Sequence, residues 1–313
     1  MNEGWRLFVL AAVGFGLAIC ALVAMPARLL RRLTVTNHRG RPVPATLGVV
    51  VFAAAVVAQA ITGLVSLIGG TELGHDTWAL MAGATLVFAA GLLDDLRPGG
   101  PRGLLAHGRE VLRLHVTTGL LKAAAGVLGA VLVVATVHGR SIWVMAAGVV
   151  LIAGAANFWN GLDVVPGRAG KAFVLASVPM LFFAPPSLLA RLFGAEVAAL
   201  WPDLRERGML GDSGSNLLGF VAGAAAYSEL SALGVTIAAV VAVGLNLLAE
   251  TVTLSRAVDA VAPLRWLDRA GRLPDEPPAA SVEEAAMDDE SEEEPEPPSE
   301  PSAEDDPEPA GRR

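Results

Sequence analysis

A 313-residue chain that is 53% apolar, with a mean hydropathy of +0.54 and one cysteine, is not an ordinary soluble globule. It also has no intramolecular disulfide and no cysteine-based metal centre, so any metal must use oxygen ligands. The formal net charge of −8 divides unequally: residues 1–274 carry 21 Lys and Arg against 15 Asp and Glu, a net of +6, and residues 275–313 carry 2 against 16, a net of −14.

A bilayer crossing takes ~20 apolar residues, and runs of that length open at Trp5, Pro44, Thr77, His115, Ser141, Ser215 and Gly234. The first run holds Cys20 and is expected to be a membrane helix rather than a cleavable signal. It lacks a basic start, and Met25-Pro26 followed by Arg28, Arg31 and Arg32 reads as a stop. Loop 26–43 continues with Arg39 and Arg41, and loop 94–114 holds Arg97, Arg102, Arg109 and Arg113, whereas the stretches 71–76 and 138–140 share one basic residue. The positive-inside rule puts the basic loops in the cytoplasm and the N-terminus outside.

Polar islands interrupt this apolar text. Asn37-His38-Arg39-Gly40-Arg41-Pro42 offers arginines that either hold an anionic headgroup or diphosphate, or serve topology alone. Next, Asp94-Asp95 pairs two carboxylates at a helix end, where a charge at the bilayer centre would cost ~3 kcal/mol. A divalent cation would relieve their repulsion, and a solvated helix terminus is the plainer reading. Lys122 lies some two turns into its helix and either snorkels or pairs with a carboxylate. In Asn157-Phe-Trp-Asn160-Gly-Leu-Asp163 three oxygen-bearing side chains recur at a spacing of three, which sets them along one helix face. They suit Mg²⁺ or a nucleobase edge, or simply a cap and turn. Arg168 and Lys171 beside them are phosphate ligands or topology signals.

Residues 172–201 contain two short apolar pieces broken by Ala184-Pro185-Pro186-Ser187, with Arg191 and Glu196 in the second; a helical hairpin is expected, bringing the chain back to the cytoplasm. Gly211-Asp212-Ser213-Gly214-Ser215-Asn216 then reads as a small-residue loop before a helix starting near Leu217. Its amides form either a phosphate site or a plain cap, and Asp212 is a candidate metal ligand. Asn246 and Glu250 share a helix face, and the tail from 275, rich in Pro, Glu, Asp and Ser, is expected to be disordered.

The order of these islands resembles the polyprenyl-phosphate N-acetylhexosamine-1-phosphate transferases, the family that contains phospho-N-acetylmuramoyl-pentapeptide transferase. The similarity covers about residues 30–270 and rests on Arg39 to Gly48, Gly91 to Asp95, Asn157 to Asp163, Gly211 to Gly219 and Glu250-Thr-Val-Thr253. Gly-Asp-Ser-Gly-Ser is its most specific element. The chain departs from the family pattern in three places. Val164-Val165-Pro166-Gly167 stands where a second carboxylate is usual, Pro98 closes the Asp-Asp motif, and Ala262 to Leu267 stands where histidines cluster.

The resemblance implies transfer of a sugar 1-phosphate from a UDP-amino sugar to a polyprenyl (undecaprenyl or decaprenyl) phosphate with Mg²⁺, releasing UMP. Asp94, Asp95 and Asp212 would be catalytic, with Asp212, Asp95 and Asn160 at the metal. Arg39, Arg41, Asn157, Asn160, Asp163, Arg168, Lys171, Gly211, Ser213, Gly214 and Ser215 would bind substrate. The expectation is thus an all-α bacterial plasma-membrane protein of about nine transmembrane helices, with a membrane domain over 1–274 and an acidic tail over 275–313. Its partners would be UDP-sugar, polyprenyl phosphate and membrane lipids, not nucleic acid, and a homodimer is open to it. Two other readings are a divergent member that binds lipid intermediates without turnover and a secondary transporter.

Overall fold

Inside a bilayer the backbone must satisfy its own N–H and C=O groups, and the apolar runs do so as helices. A computed structural model describes residues 3–37, 39–69, 75–97, 117–183, 186–251 and 254–274. In chain order the helices are α1 (Glu3–Ala24), α2 (Ala27–Arg32), α3 (Leu47–Ile68), α4 (His75–Asp95), α5 (Thr118–Val134) and α6 (Ile142–Leu162). They continue with α7 (Arg168–Met180), α8 (Ser187–Leu204), α9 (Gly211–Glu229), α10 (Ala232–Thr251), α11 (Leu254–Ala260) and α12 (Ala262–Arg269). All lie in one unit, Met1–Leu273; the second unit, Pro274–Arg313, carries the expected acidic tail, which beyond Pro274 falls outside the described residues. The arginines at 102, 109 and 113, Pro98, and Val252 and Thr253 also lie outside them.

Among the described residues, five helices are long and apolar enough to cross a membrane: Glu3–Ala24, Leu47–Ile68, Thr77–Asp95, Ile142–Leu162 and Ala232–Ala249. Thr118–Val134 is apolar but shorter. Their outward faces carry large apolar side chains such as Val23 (85% exposed) and Ile68 (79% exposed), which suit lipid and not water. The stretch expected as a helical hairpin is two helices, α7 and α8, packed on each other.

At the centre stands α9, almost wholly buried and packed on α3, α4, α5, α6, α7 and α8. Small residues make this possible, because helices that meet through Gly, Ala and Ser bring their backbones close. A methyl group at Gly219 would lie 2.4 Å from the Ala155 carbonyl oxygen of α6. The sequence reading expected a loop before a helix near Leu217, but α9 begins at Gly211, so the Gly-Asp-Ser-Gly-Ser run forms the helix's first turn.

A two-stranded hairpin follows α2: β1 (Thr34–Thr36) runs antiparallel to β2 (Pro42–Pro44), with Thr34 opposite Pro44 and Thr36 opposite Pro42. Its turn is closed by Asn37, whose Oδ1 accepts the N–H groups of Arg39 and Arg41, both at 2.9 Å. The chain beyond β2 holds the approach to α9. Met209 donates its N–H to the Pro44 carbonyl (3.0 Å), and Leu47 and Gly48 donate theirs to the carbonyls of Met209 and Leu210 (both 3.1 Å).

Candidate functional site

The C-terminal end of α4 meets the N-terminal turn of α9, and glycine at two positions allows it. A Cβ on Gly91 would lie 2.5 Å from the Asp212 carbonyl oxygen. Gly211 adopts φ +69°, a conformation that L side chains rarely take, and a Cβ there would fall 2.9 Å from the Asp95 carboxylate. With the two ends this close, Asp95 caps α9: Oδ1 accepts the N–H of Asp212 (2.8 Å) and Oδ2 accepts that of Ser213 (3.0 Å). The first N–H groups of a helix have no partner within it, and a carboxylate also complements the positive end of its dipole. Two of the amides expected to hold diphosphate, those of Asp212 and Ser213, are therefore engaged by the protein. Ser213 is itself fully buried, and Gly214 lies against Gly48 of α3.

Asp94, one residue earlier on α4, points to a different neighbour. Its Oδ2 is hydrogen-bonded to Lys122 Nζ of α5, and the same ammonium donates to Asp212 Oδ2 at 2.6 Å. Three helices thus contribute to one polar cluster, in which the carboxylates of Asp94 and Asp212 share the ammonium of Lys122 and Asp95 lies beside them on the amides of α9. The cluster is only part-buried, with side-chain exposures of 17% for Lys122, 19% for Asp94 and 32% for Asp212. Of the alternatives open for Lys122, pairing with carboxylates is the one the structure displays.

The residues expected along one face of Asn157–Asp163 separate into three surroundings. Asn157 donates from Nδ2 to Asn246 Oδ1 (2.5 Å), and Asn246 donates back to the Gly154 carbonyl (2.9 Å), tying α6 to α10. Asn160 turns to α9, where Ser215 Oγ lies 3.0 Å from its Oδ1 and 2.8 Å from the Gly211 carbonyl, two acceptors for one hydroxyl proton. Asp163 ends α6 and lines a water-sized cavity of about 20 Å³ with Asn37, Asp203 and Glu206. Burial raises the Asp163 carboxyl well above the usual carboxylate range, and the neighbouring Asp203, Asp212, Asp95 and Glu196 raise it further.

The basic residues also have partners within the fold. Arg168 grips Asp268 of α12 with two hydrogen bonds, Nε to Oδ1 at 2.7 Å and Nη2 to Oδ2 at 3.2 Å, and donates from Nη1 to Ser255 of α11 (3.1 Å). Lys171 Nζ closes the end of α12 by donating to the carbonyls of Leu267 (2.8 Å), Asp268 and Ala270 (3.2 Å). Both were expected at phosphate; here they dock the C-terminal helices. Burial alone would raise the Asp268 carboxyl, but the Arg168 hydrogen bonds, with Arg272 and Lys171 nearby, hold it below its ordinary value. Arg39 pairs with Glu206 (3.1 Å) and donates to the Leu273 carbonyl (3.1 Å), while Asn37 Nδ2 donates to the other Glu206 oxygen (3.0 Å). Arg41 takes part in the hairpin turn through its N–H.

Asp268 and Glu206 escaped the sequence reading. A lone Asp among Arg265, Arg269 and Arg272, and a Glu between Arg205 and Arg207, were each visible as acids inside basic runs, the one available signal of a buried counter-ion.

Of the expected metal set, Asp95 is bound to the α9 amides, Asn160 faces Ser215 and Asp212 meets Lys122. No group of three His, Cys, Asp or Glu side chains among the described residues is placed to hold a metal ion. Two carboxylates, Asp94 and Asp212, do converge from separate helices on one cation, the Lys122 ammonium. Such a pair fits Mg²⁺, which takes one or two carboxylates and completes its octahedron with water and substrate phosphate. No protein-family model matches the chain, and no curated protein matches it.

Proposed function

We propose that the chain transfers a sugar 1-phosphate from a UDP-amino sugar to a polyprenyl phosphate at the cytoplasmic membrane face, releasing UMP, in bacterial envelope polysaccharide synthesis. The observation that carries this reading is the convergence of Asp94, Asp212 and Lys122 at helix ends of an otherwise apolar bundle. Burying such charge in a membrane protein is costly and marks a functional site by default. The placement suits the reaction: the acceptor's hydrocarbon stays among apolar helices while its phosphate meets a water-soluble donor at the helix ends.

Both substrates are anionic, and three carboxylates against one ammonium repel them unless a cation intervenes. Asp94 and Asp212 would hold Mg²⁺, which when bound would supply that charge and Lewis acidity toward phosphoryl oxygens. Lys122 keeps the two carboxylates together and donates to phosphoryl oxygen as negative charge builds there. Asp95 fixes the first turn of α9, which orients Asp212. Asn160 and Ser215 join α6 to that turn and set the wall of the site nearest the Asn157–Asp163 segment.

A second reading is a family-like protein that binds lipid intermediates without turnover. It is favoured by the engagement of Arg39, Arg168, Lys171 and the α9 amides in internal contacts, which leaves fewer groups for a diphosphate. Purified protein, a panel of UDP-sugars, undecaprenyl phosphate and Mg²⁺ separate the two by UMP release. The transferase reading expects Mg²⁺-dependent release that falls at least ~100-fold in Asp212→Asn and in Lys122→Met. Lipid binding with no release from any sugar establishes the second reading instead.

A further inference from the structure

Away from the Asp94–Lys122–Asp212 cluster, α1 packs chiefly on α8 and α3. Beside this contact a groove of about 620 Å³ opens, walled by Phe15, Ile19 and Val23 of α1 and by Trp201 and Pro202 of α8. Phe15, Ile19 and Val23 follow one another at four-residue steps, so they share a face of α1, and all three are exposed. Among the described residues, the only charged one lining the groove is Arg207, which sits just past the end of α8 with its guanidinium 4.8 Å from the centre of the Trp201 ring.

That guanidinium has no carboxylate among the described residues. The two nearest acids in sequence face elsewhere: Glu206 pairs with Arg39 and Asn37, and Asp203 is buried against the cavity that Asp163 lines. Arg28, Arg31 and Arg32 follow directly on the end of α1 and are exposed, so positive charge collects where the groove meets the polar loops. An apolar trough on an apolar helix, ending at a Trp–Arg pair with uncompensated charge, is complementary to a molecule with a hydrocarbon chain and an anionic head.

We propose that this groove is a binding site for an anionic phospholipid of the cytoplasmic leaflet, its acyl chain along α1 and α8 and its phosphate on Arg207. The acceptor lipid is a poor candidate for the same place, because its phosphate has to reach the cluster carried by α4, α5 and α9. The inference rests on the membrane reading of the helices and not on the transfer reaction, so it survives or fails independently of UMP release.

Native mass spectrometry of the full chain, released from nanodiscs of equal phosphatidylglycerol and phosphatidylcholine, tests it. The wild type is expected to retain phosphatidylglycerol in preference to phosphatidylcholine. Arg207→Gln is expected to reduce that preference about fivefold, the effect of one basic residue near an anionic headgroup. Ile19→Trp, which fills the trough, is expected to release both lipids, with thermal unfolding of each variant confirming that it is folded. Equal retention of the two lipids by the wild type, or an unchanged preference in Arg207→Gln, overturns the proposal. Displacement of phosphatidylglycerol by undecaprenyl phosphate would give the groove to the acceptor, and a dimer mass lost in Ile19→Trp would give it to a second copy; either result overturns it too.

Discussion

Adjacent residues on a helix point about 100° apart, and at the end of α4 this rotation sends Asp94 to Lys122 and Asp95 to the amides of α9. The two carboxylates should therefore respond differently to substitution. Asp95→Ala leaves two buried N–H groups without an acceptor and is expected to cost about 2–3 kcal/mol, read as a lowered unfolding midpoint in detergent. Asp94→Ala should spare most of that stability and remove activity; equal loss of stability in both variants would refute the division of roles. Asp163 gives a pH test. Its carboxyl is raised by burial and by neighbouring acids, so the folded chain holds a proton that the unfolded chain has already released. Stability is lost as pH rises from the ordinary carboxylate range up through the raised value. Asp163→Asn should match the wild type near the ordinary carboxylate pKa and become progressively more stable than it as pH increases, in denaturation series run at fixed ionic strength.

At the scale of elements, the site depends on how closely α4 approaches α9. Gly91→Ala places a methyl 2.5 Å from the Asp212 carbonyl and 2.6 Å from Ser213 Cα, both backbone, so the helices have to separate. Overpacking of this kind costs about 1–3 kcal/mol, and the shift carries Asp95 off its amides. The expected outcome is a folded but destabilised protein whose UMP release falls at least as much as its stability predicts; wild-type activity would mean that α4 can slide without disturbing Asp212. The same contact explains what the sequence could and could not convey. The apolar runs were readable because lipid-facing helices repeat large apolar residues, and α9 was among them from Ser215 on, whereas its start at Gly211 was hidden by the Gly, Asp and Ser that its crowded first turn requires. The hairpin of β1 and β2 went unseen because Pro42 and Pro44 argue against a strand, yet both sit in a two-stranded edge where their missing N–H groups cost little. The polar islands were legible as islands; their partners were not, because Asp95 reaches the amides and Arg168 reaches Asp268 only through contacts 100 residues or more apart in sequence.

For the whole molecule, five helices among the described residues satisfy the length and apolarity of a membrane span, and α5, α7, α8 and α9 pack among them. How many of these helices cross decides which side of the membrane holds Asp212. Gly167 lies against Leu204 and Gly170 against Glu196, so α7 and α8 run antiparallel and the loop after α8 lies at the same end of the bundle as the loop after α6. On the proposed topology, Arg205, Arg207 and the α2 arginines on that side put it in the cytoplasm by the positive-inside rule. Ser213 is buried and is a poor place for a probe, but Arg205 and His138 are exposed on loops at opposite ends of the bundle. In a Cys20→Ala background, a membrane-impermeant maleimide is expected to label His138→Cys in intact cells and Arg205→Cys only after permeabilisation. Labelling of Arg205→Cys from outside would put the carboxylate cluster on the wrong side for a nucleotide donor and would remove the transferase reading along with it.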